Sequence, residues 1–80
     1  MEKPEMKYKA GAISATIWNN ETIKDGKPAA YKTISLQRSY KDKDGAWKTT
    51  NSFRVADLPK AVVVLNKAFE HLVLSQGDSA

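Results

Sequence analysis

The hydrophobic period of this 80-residue chain changes once, close to "RVADLPKAVVV", residues 54 to 64. Before that point apolar residues tend to recur at every second position; after it they recur at helical i, i+3, i+4 spacing. In "YKAGAISATIW" (Tyr8 to Trp18), Ile13, Ala15 and Ile17 share one side, and Tyr8, Ala10, Ala12, Ser14, Thr16 and Trp18 share the other. Gly11 interrupts that run and marks a bulge or sharp bend, giving either one bent strand or two short ones. "AAYKTISLQRSY" (Ala29 to Tyr40) and "WKTTNSFRV" (Trp47 to Val55) read as further strands. "NNETIKDGKP" (Asn19 to Pro28) reads as a loop centred on Asp25-Gly26, and Asp44-Gly45 marks a second hairpin.

After the switch, Asp57 is a good helix N-cap and Pro59 is tolerated in the first turn. Leu58, Ala61, Val62, Leu65, Ala68, Phe69, Leu72 and Val73 form one apolar seam, so the helix is expected to run to about Ser75, with Gly77 as its stop. The expectation is an α+β fold: a curved antiparallel sheet of about four strands followed by one C-terminal helix (ββββα). The expected boundaries are a flexible end over residues 1–6, one domain over 7–75 and a loose tail over 76–80.

The helix carries more apolar surface than one seam needs. Val63, Val64 and Leu74 lie outside it, and three consecutive valines are poor helix formers. A second helix face packed on another subunit explains this. The expected homodimer interface is therefore Val63, Val64, His71 and Leu74. A small domain with little core has reason to associate.

Several kinds of chemistry are not signalled. The chain has no cysteine, hence no disulfide and no thiolate metal site. Its one histidine, His71, has no signalled nucleophile or orienting acid for a triad, so an enzyme is not expected. "DKDG" (Asp42 to Gly45) matches only the opening of a calcium loop: the twelfth position, which should be Glu, is Phe53. No cofactor, metal or small-molecule partner is expected. The start "MEKPEMKYKAG" lacks the apolar stretch of a signal peptide, and "AVVVL" is too short to span a bilayer. A cytoplasmic location is expected, nucleoid-associated if the source is prokaryotic.

Charge is what remains. The formal net charge is +4. Residues 7–54 hold ten basic and four acidic side chains, whereas residues 57–80 are slightly acidic. Such asymmetry points to a polyanionic partner. Single-stranded nucleic acid is held by cations along its backbone and by aromatic rings under its bases. Lys9, Lys32, Arg38, Lys48 and Arg54 are candidates for the first role, with Lys48 and Arg54 outward by parity. Tyr8, Trp18 and Tyr40 are candidates for the second. Tyr40 and Trp47 flank the turn and equally suit a cross-strand aromatic pair. Lys41 and Lys43 read as solvated turn residues.

The order of parts also carries a resemblance: "YKAG", then "ISLQRSY", then "DKDG", then "WKTTNSFRV", then a Leu-Pro entry into one helix. Over residues 7–74 it resembles the single-stranded-DNA-binding domain of the transcriptional coactivator positive cofactor four, within the wider Whirly-like fold group. The resemblance implies a homodimer whose sheets offer grooves to single-stranded DNA. It puts the aromatic before the turn at Tyr40, the basic residue after it at Lys48, and polar groove positions at Gln37 and Arg38. A tryptophan is usual where Tyr40 stands, and the strand after the turn is less basic here. The expected function is sequence-tolerant single-stranded DNA binding. The alternatives are RNA binding or a protein–protein interaction module.

Overall fold

The computed structural model describes residues 3–77, with side chains through residue 74. Four strands, β1 (Lys3–Ala10), β2 (Ile13–Lys24), β3 (Lys27–Lys41) and β4 (Trp47–Thr50), form an antiparallel meander in the order β1-β2-β3-β4. A single 3₁₀ turn (Val55–Asp57) leads into helix α1 (Leu58–Gly77). The α+β class and the four-strand-plus-helix order are as the period switch predicts. Residues 1–2 and 78–80 lie outside the described residues.

Turn chemistry sets the first two hairpins. Ala10 pairs with Ile13, leaving Gly11-Ala12 as a two-residue loop. Gly11 has φ +60° and Ala12 has no positive φ, the pattern of a II′ turn with glycine first. The run from Tyr8 to Trp18 is thus two strands, not one bent strand. Asp25 and Gly26 both have positive φ, as a I′ turn requires. Because that turn is so tight, Asn19–Lys24 and Lys27–Pro28 are strand rather than loop. Beyond the Lys3–Asn19 pair, β1 no longer accompanies β2, and residues 20–31 continue as a two-stranded ribbon. The molecule is correspondingly long, 48 × 27 × 16 Å.

The third hairpin turns where Asp44-Gly45 signals it, with Gly45 at φ +82° and its N–H donating to Asp42 O at 3.1 Å, and Asp42 holds the loop together. The Asp42 carboxylate accepts the N–H groups of Asp44 and Ala46, both at 2.9 Å. The strand after it is shorter than its sequence suggests, ending at Thr50 instead of Val55. The chain then leaves the ladder, and Phe53 packs against the core from outside the sheet.

The core is small. Ile13, Ala15 and Ile17 of β2 meet Ala61, Val64 and Ala68 of α1, with Tyr8, Ala10, Leu36, Phe53 and Leu72 around them. Burying Ile13 and Ile17 contributes about 1.5–3 kcal/mol each. Alanines at 61 and 68 let the helix come close to the sheet. This rotates α1 from the expected orientation: Val64, expected at a subunit interface, is 2 % exposed and belongs to the core. His71 is half-buried on the sheet side of the helix, with its Nε2 2.9 Å from the Glu5 carboxylate. Val63 and Leu74 are exposed, and so are Leu58, Val62, Leu65, Phe69 and Val73, which the seam had assigned to the core. Among the described residues, no helix is long and apolar enough to cross a membrane.

Candidate nucleic-acid interface

Strand pairing sorts the sheet into two faces, because side chains alternate along each strand and directly paired residues share a side. The helix side carries Ile13, Ala15, Ile17, Asn19, Glu21 and Ile23 of β2, with Pro28, Ala30, Lys32, Ile34, Leu36, Arg38 and Tyr40 opposite them on β3 and beyond. The open side carries Lys7 and Lys9 of β1; Ser14, Thr16, Trp18, Asn20, Thr22 and Lys24 of β2; Tyr31, Thr33, Ser35, Gln37, Ser39 and Lys41 of β3; and Trp47 and Thr49 of β4.

The two sides differ in charge. The open side holds lysines 7, 9, 24, 27 and 41 and no strand carboxylate. Glu21 faces the helix side by its pairing with Ala30. Glu5 sits at a register shift between Pro4 and Met6, and this bulge aims its carboxylate at Lys32 and His71 on the same helix side.

On the open side Trp18 is half-buried, and its indole N–H donates to Ser35 Oγ at 2.9 Å. Asn20 Nδ2 donates to Thr33 Oγ1 at 3.0 Å. Ser14 and Thr16 are buried at the centre of this face, between the longer side chains of Lys7 and Lys9 on one flank and Gln37 on the other. The result is a floor of small hydroxyl residues with lysines beside it. Tyr31 is exposed near the ribbon. Trp47, 70 % exposed, lies at the opposite end with the Lys41 ammonium 5.5 Å from its ring centroid. Side chains of these types can stack, hydrogen-bond and attract anions.

The helix-side cations are engaged. Arg38 Nε donates to Ser52 O at 3.1 Å, lies 3.5 Å from Asp57 Oδ2, and its guanidinium covers the Tyr40 ring at 5.7 Å. Arg54 Nε is 3.3 Å from the same Asp57 oxygen. Lys48 Nζ is 3.3 Å from Asp42, and Lys32 is paired with Glu5. The carboxyls behind these pairs are all held below their usual range. For Asp57 the main cause is the Arg54 backbone N–H, for Asp42 the Ala46 backbone N–H, and for Glu5 the hydrogen bond from Lys32.

The site expected from sequence is therefore divided. Lys9, Trp18 and Gln37 share the open face. Tyr8, Lys32, Arg38, Tyr40 and Lys48 lie on the helix side, and Arg54 lies in the loop beside Asp57. The outward parity expected for Lys48 does not hold. It pairs directly with Tyr40, and the parity of Phe53 and Val55 cannot be carried back across the break at Thr50. Tyr40 and Trp47 are not a cross-strand pair, since Trp47 opposes Lys41 on the other face. Lys7, Tyr31, Lys41 and Trp47 join the open face. Their signal in the sequence is parity counted through each hairpin register from Trp18.

An open cleft of about 580 Å³ runs along the ribbon, lined by Glu21, Thr22, Ile23, Pro28, Ala29 and Ala30. Its one charged residue is a carboxylate, which suits it poorly to an anion. Among the described residues no cluster of His, Asp or Glu could hold a metal ion. Comparison with protein-family models, curated proteins and solved structures finds no match to this chain.

Proposed function

We propose that this chain binds single-stranded DNA, with little sequence preference, on the open face of its sheet. One observation carries the reading: that face bears five lysines, three aromatic rings and a row of hydroxyls, without a strand carboxylate. Lysines attract the phosphates, and stacking on Trp18, Tyr31 and Trp47 holds bases without selecting among them. Ser and Thr hydroxyls add contacts that position the strand but fix no sequence. The order of parts that resembles the positive-cofactor-four domain points to the same class. A nucleic-acid ligand also fits the cytoplasmic location expected from the sequence.

The working unit in this reading is a homodimer. Leu58, Val62, Leu65 and Phe69 recur at spacings of four, three and four on one exposed stripe of α1, which Val73 continues four residues on, and Phe69 is 64 % exposed. That is the spacing of a helix seam that packs on another helix. Phe69→Asp should convert a dimer to a folded monomer, read as mass in solution. A wild-type monomer at high concentration would remove the dimer from the account.

Titration with fluorescent oligothymidine tests the binding. Affinity should fall log-linearly with salt, and contact with about four phosphates would give a slope near −3. Absence of binding at low salt, or binding indifferent to salt, would contradict the reading. Matched oligouridine tests the choice of DNA: equal or tighter RNA binding would move the ligand to RNA.

A further inference from the structure

The arrangement of rings and cations on the open face defines a course for the bound strand. Along β3, the aromatic positions fall beside residues 31, 33 and 41: Tyr31 itself, Trp18 opposite Thr33, and Trp47 opposite Lys41. The lysines fall beside residues 27, 35, 37 and 41: Lys24 with Lys27, Lys7, Lys9, and Lys41 itself. Cations and rings thus alternate in groups from the ribbon to the β3–β4 hairpin.

Two courses are open to a polyanion on this sheet. A course across the strands covers four strands, roughly 15 Å at the spacing between strands, and meets one ring at most. A course along β3 from Tyr31 to the level of Trp47 covers ten residues, roughly 33 Å, and meets all three. Stacking on a ring is worth a factor of roughly 5 to 150 in affinity per base, so the long course outweighs the short one. At the duplex spacing of ~3.4 Å per nucleotide, 33 Å corresponds to roughly ten nucleotides, and to fewer if the strand is stretched.

We propose that one chain takes up a single strand along the length of β3, with Trp47–Lys41 and Tyr31 as end subsites and Trp18 between them. This inference rests on the reading of the open face as the nucleic-acid surface. It adds the course of the strand and a length requirement that the reading itself does not contain. The Trp47–Lys41 pair suits a nucleotide directly: the ring takes the base, and the ammonium beside it can leave the ring for a phosphate.

Tryptophan fluorescence separates the subsites, since Trp18 and Trp47 are the two tryptophans in the chain. Trp18→Phe and Trp47→Phe each leave one reporter and keep an aromatic ring at the altered position. An oligothymidine of about 12 nucleotides should quench both reporters, and one of about 4 nucleotides should bind at least tenfold more weakly. Quenching of Trp18 with no change at Trp47 at saturation would overturn the course while leaving the function standing. Equal affinity for the two lengths would also overturn it, in favour of the course across the strands. Failure of both oligomers to bind either variant or the wild type would overturn the function and the course together.

Discussion

The two faces of one sheet use the same basic side chains in opposite ways. On the helix side Lys32, Arg38, Lys48 and Arg54 each face a carboxylate, Glu5, Asp57 or Asp42. On the open side the strands supply Lys7, Lys9, Lys24, Lys27 and Lys41 and no acid. The difference teaches that a count of positive residues does not measure the charge available to a ligand. Two guanidiniums sharing Asp57 help to fix the entry to α1; the lysines beside the floor of Ser14 and Thr16 face no strand carboxylate, which is what the proposed binding of a polyanion needs.

The largest effect should come from removing the central ring of the open face. Trp18→Ala should weaken oligothymidine binding roughly 5- to 150-fold, as measured by fluorescence anisotropy. A urea melt of the same variant checks that enough folded protein remains. Binding within twofold of wild type would break the contrast between the faces at its strongest point.

The helix side should report on acid stability instead. Asp57, Asp42 and Glu5 have folded pKa values below those of the unfolded chain, where carboxyls titrate at about 4. Their stabilisation is therefore present above that pH and lost as pH falls through the lower folded values. Unfolding free energy should decline as pH falls from about 4 downward. Asp57→Asn should lower stability at neutral pH and flatten that decline, as followed by urea denaturation. An unchanged pH profile would mean that the carboxylate does not hold Arg38 and Arg54 as the geometry indicates.

The smallest effect should come from the Tyr40→Ala, Lys48→Ala double variant. Lys48 is held by Asp42, and the Tyr40 ring is covered by Arg38. Binding should change less than about threefold, well short of the loss of a stacking ring. A tenfold loss would move the groove back to the side of the sheet that the family resemblance indicates.

Much of the fold was legible because burial writes a period into the sequence. Ile13, Ala15 and Ile17 alternate since only one side of β2 meets the helix, and Asp25-Gly26 carries its turn in its residue types. The ribbon was not legible, because Asn19–Lys24 packs on no core and so shows no apolar alternation. The rotation of α1 was not legible either. Two apolar stripes, Ala61-Val64-Ala68 and Leu58-Val62-Leu65-Phe69, lie about one residue apart around the helix. Only contact with the sheet decides that the stripe with alanines goes inward. Of the candidate site, Trp18 and Gln37 were readable by local parity; Lys9 was not, because parity counted straight through Gly11 puts it beside Ile13 and puts Tyr8 beside Trp18, and the two-residue turn exchanges them. Lys7, Tyr31, Lys41 and Trp47 needed the register of three hairpins. The neutralisation of Lys32, Arg38 and Lys48 needed the third dimension, since their acids are distant in sequence or brought round by a turn.

The central claim is that the acid-free face supplies the charge that binds the ligand. The most direct test is the slope of log affinity against log salt for oligothymidine, compared between wild type and the Lys7→Ala, Lys9→Ala double variant. Each phosphate contact by a lysine contributes about 0.7 to that slope for a single strand. The account predicts a slope shallower by about 1.4 in the double variant. An unchanged slope there, together with a shallower slope in a Lys32→Ala, Lys48→Ala variant, would contradict it.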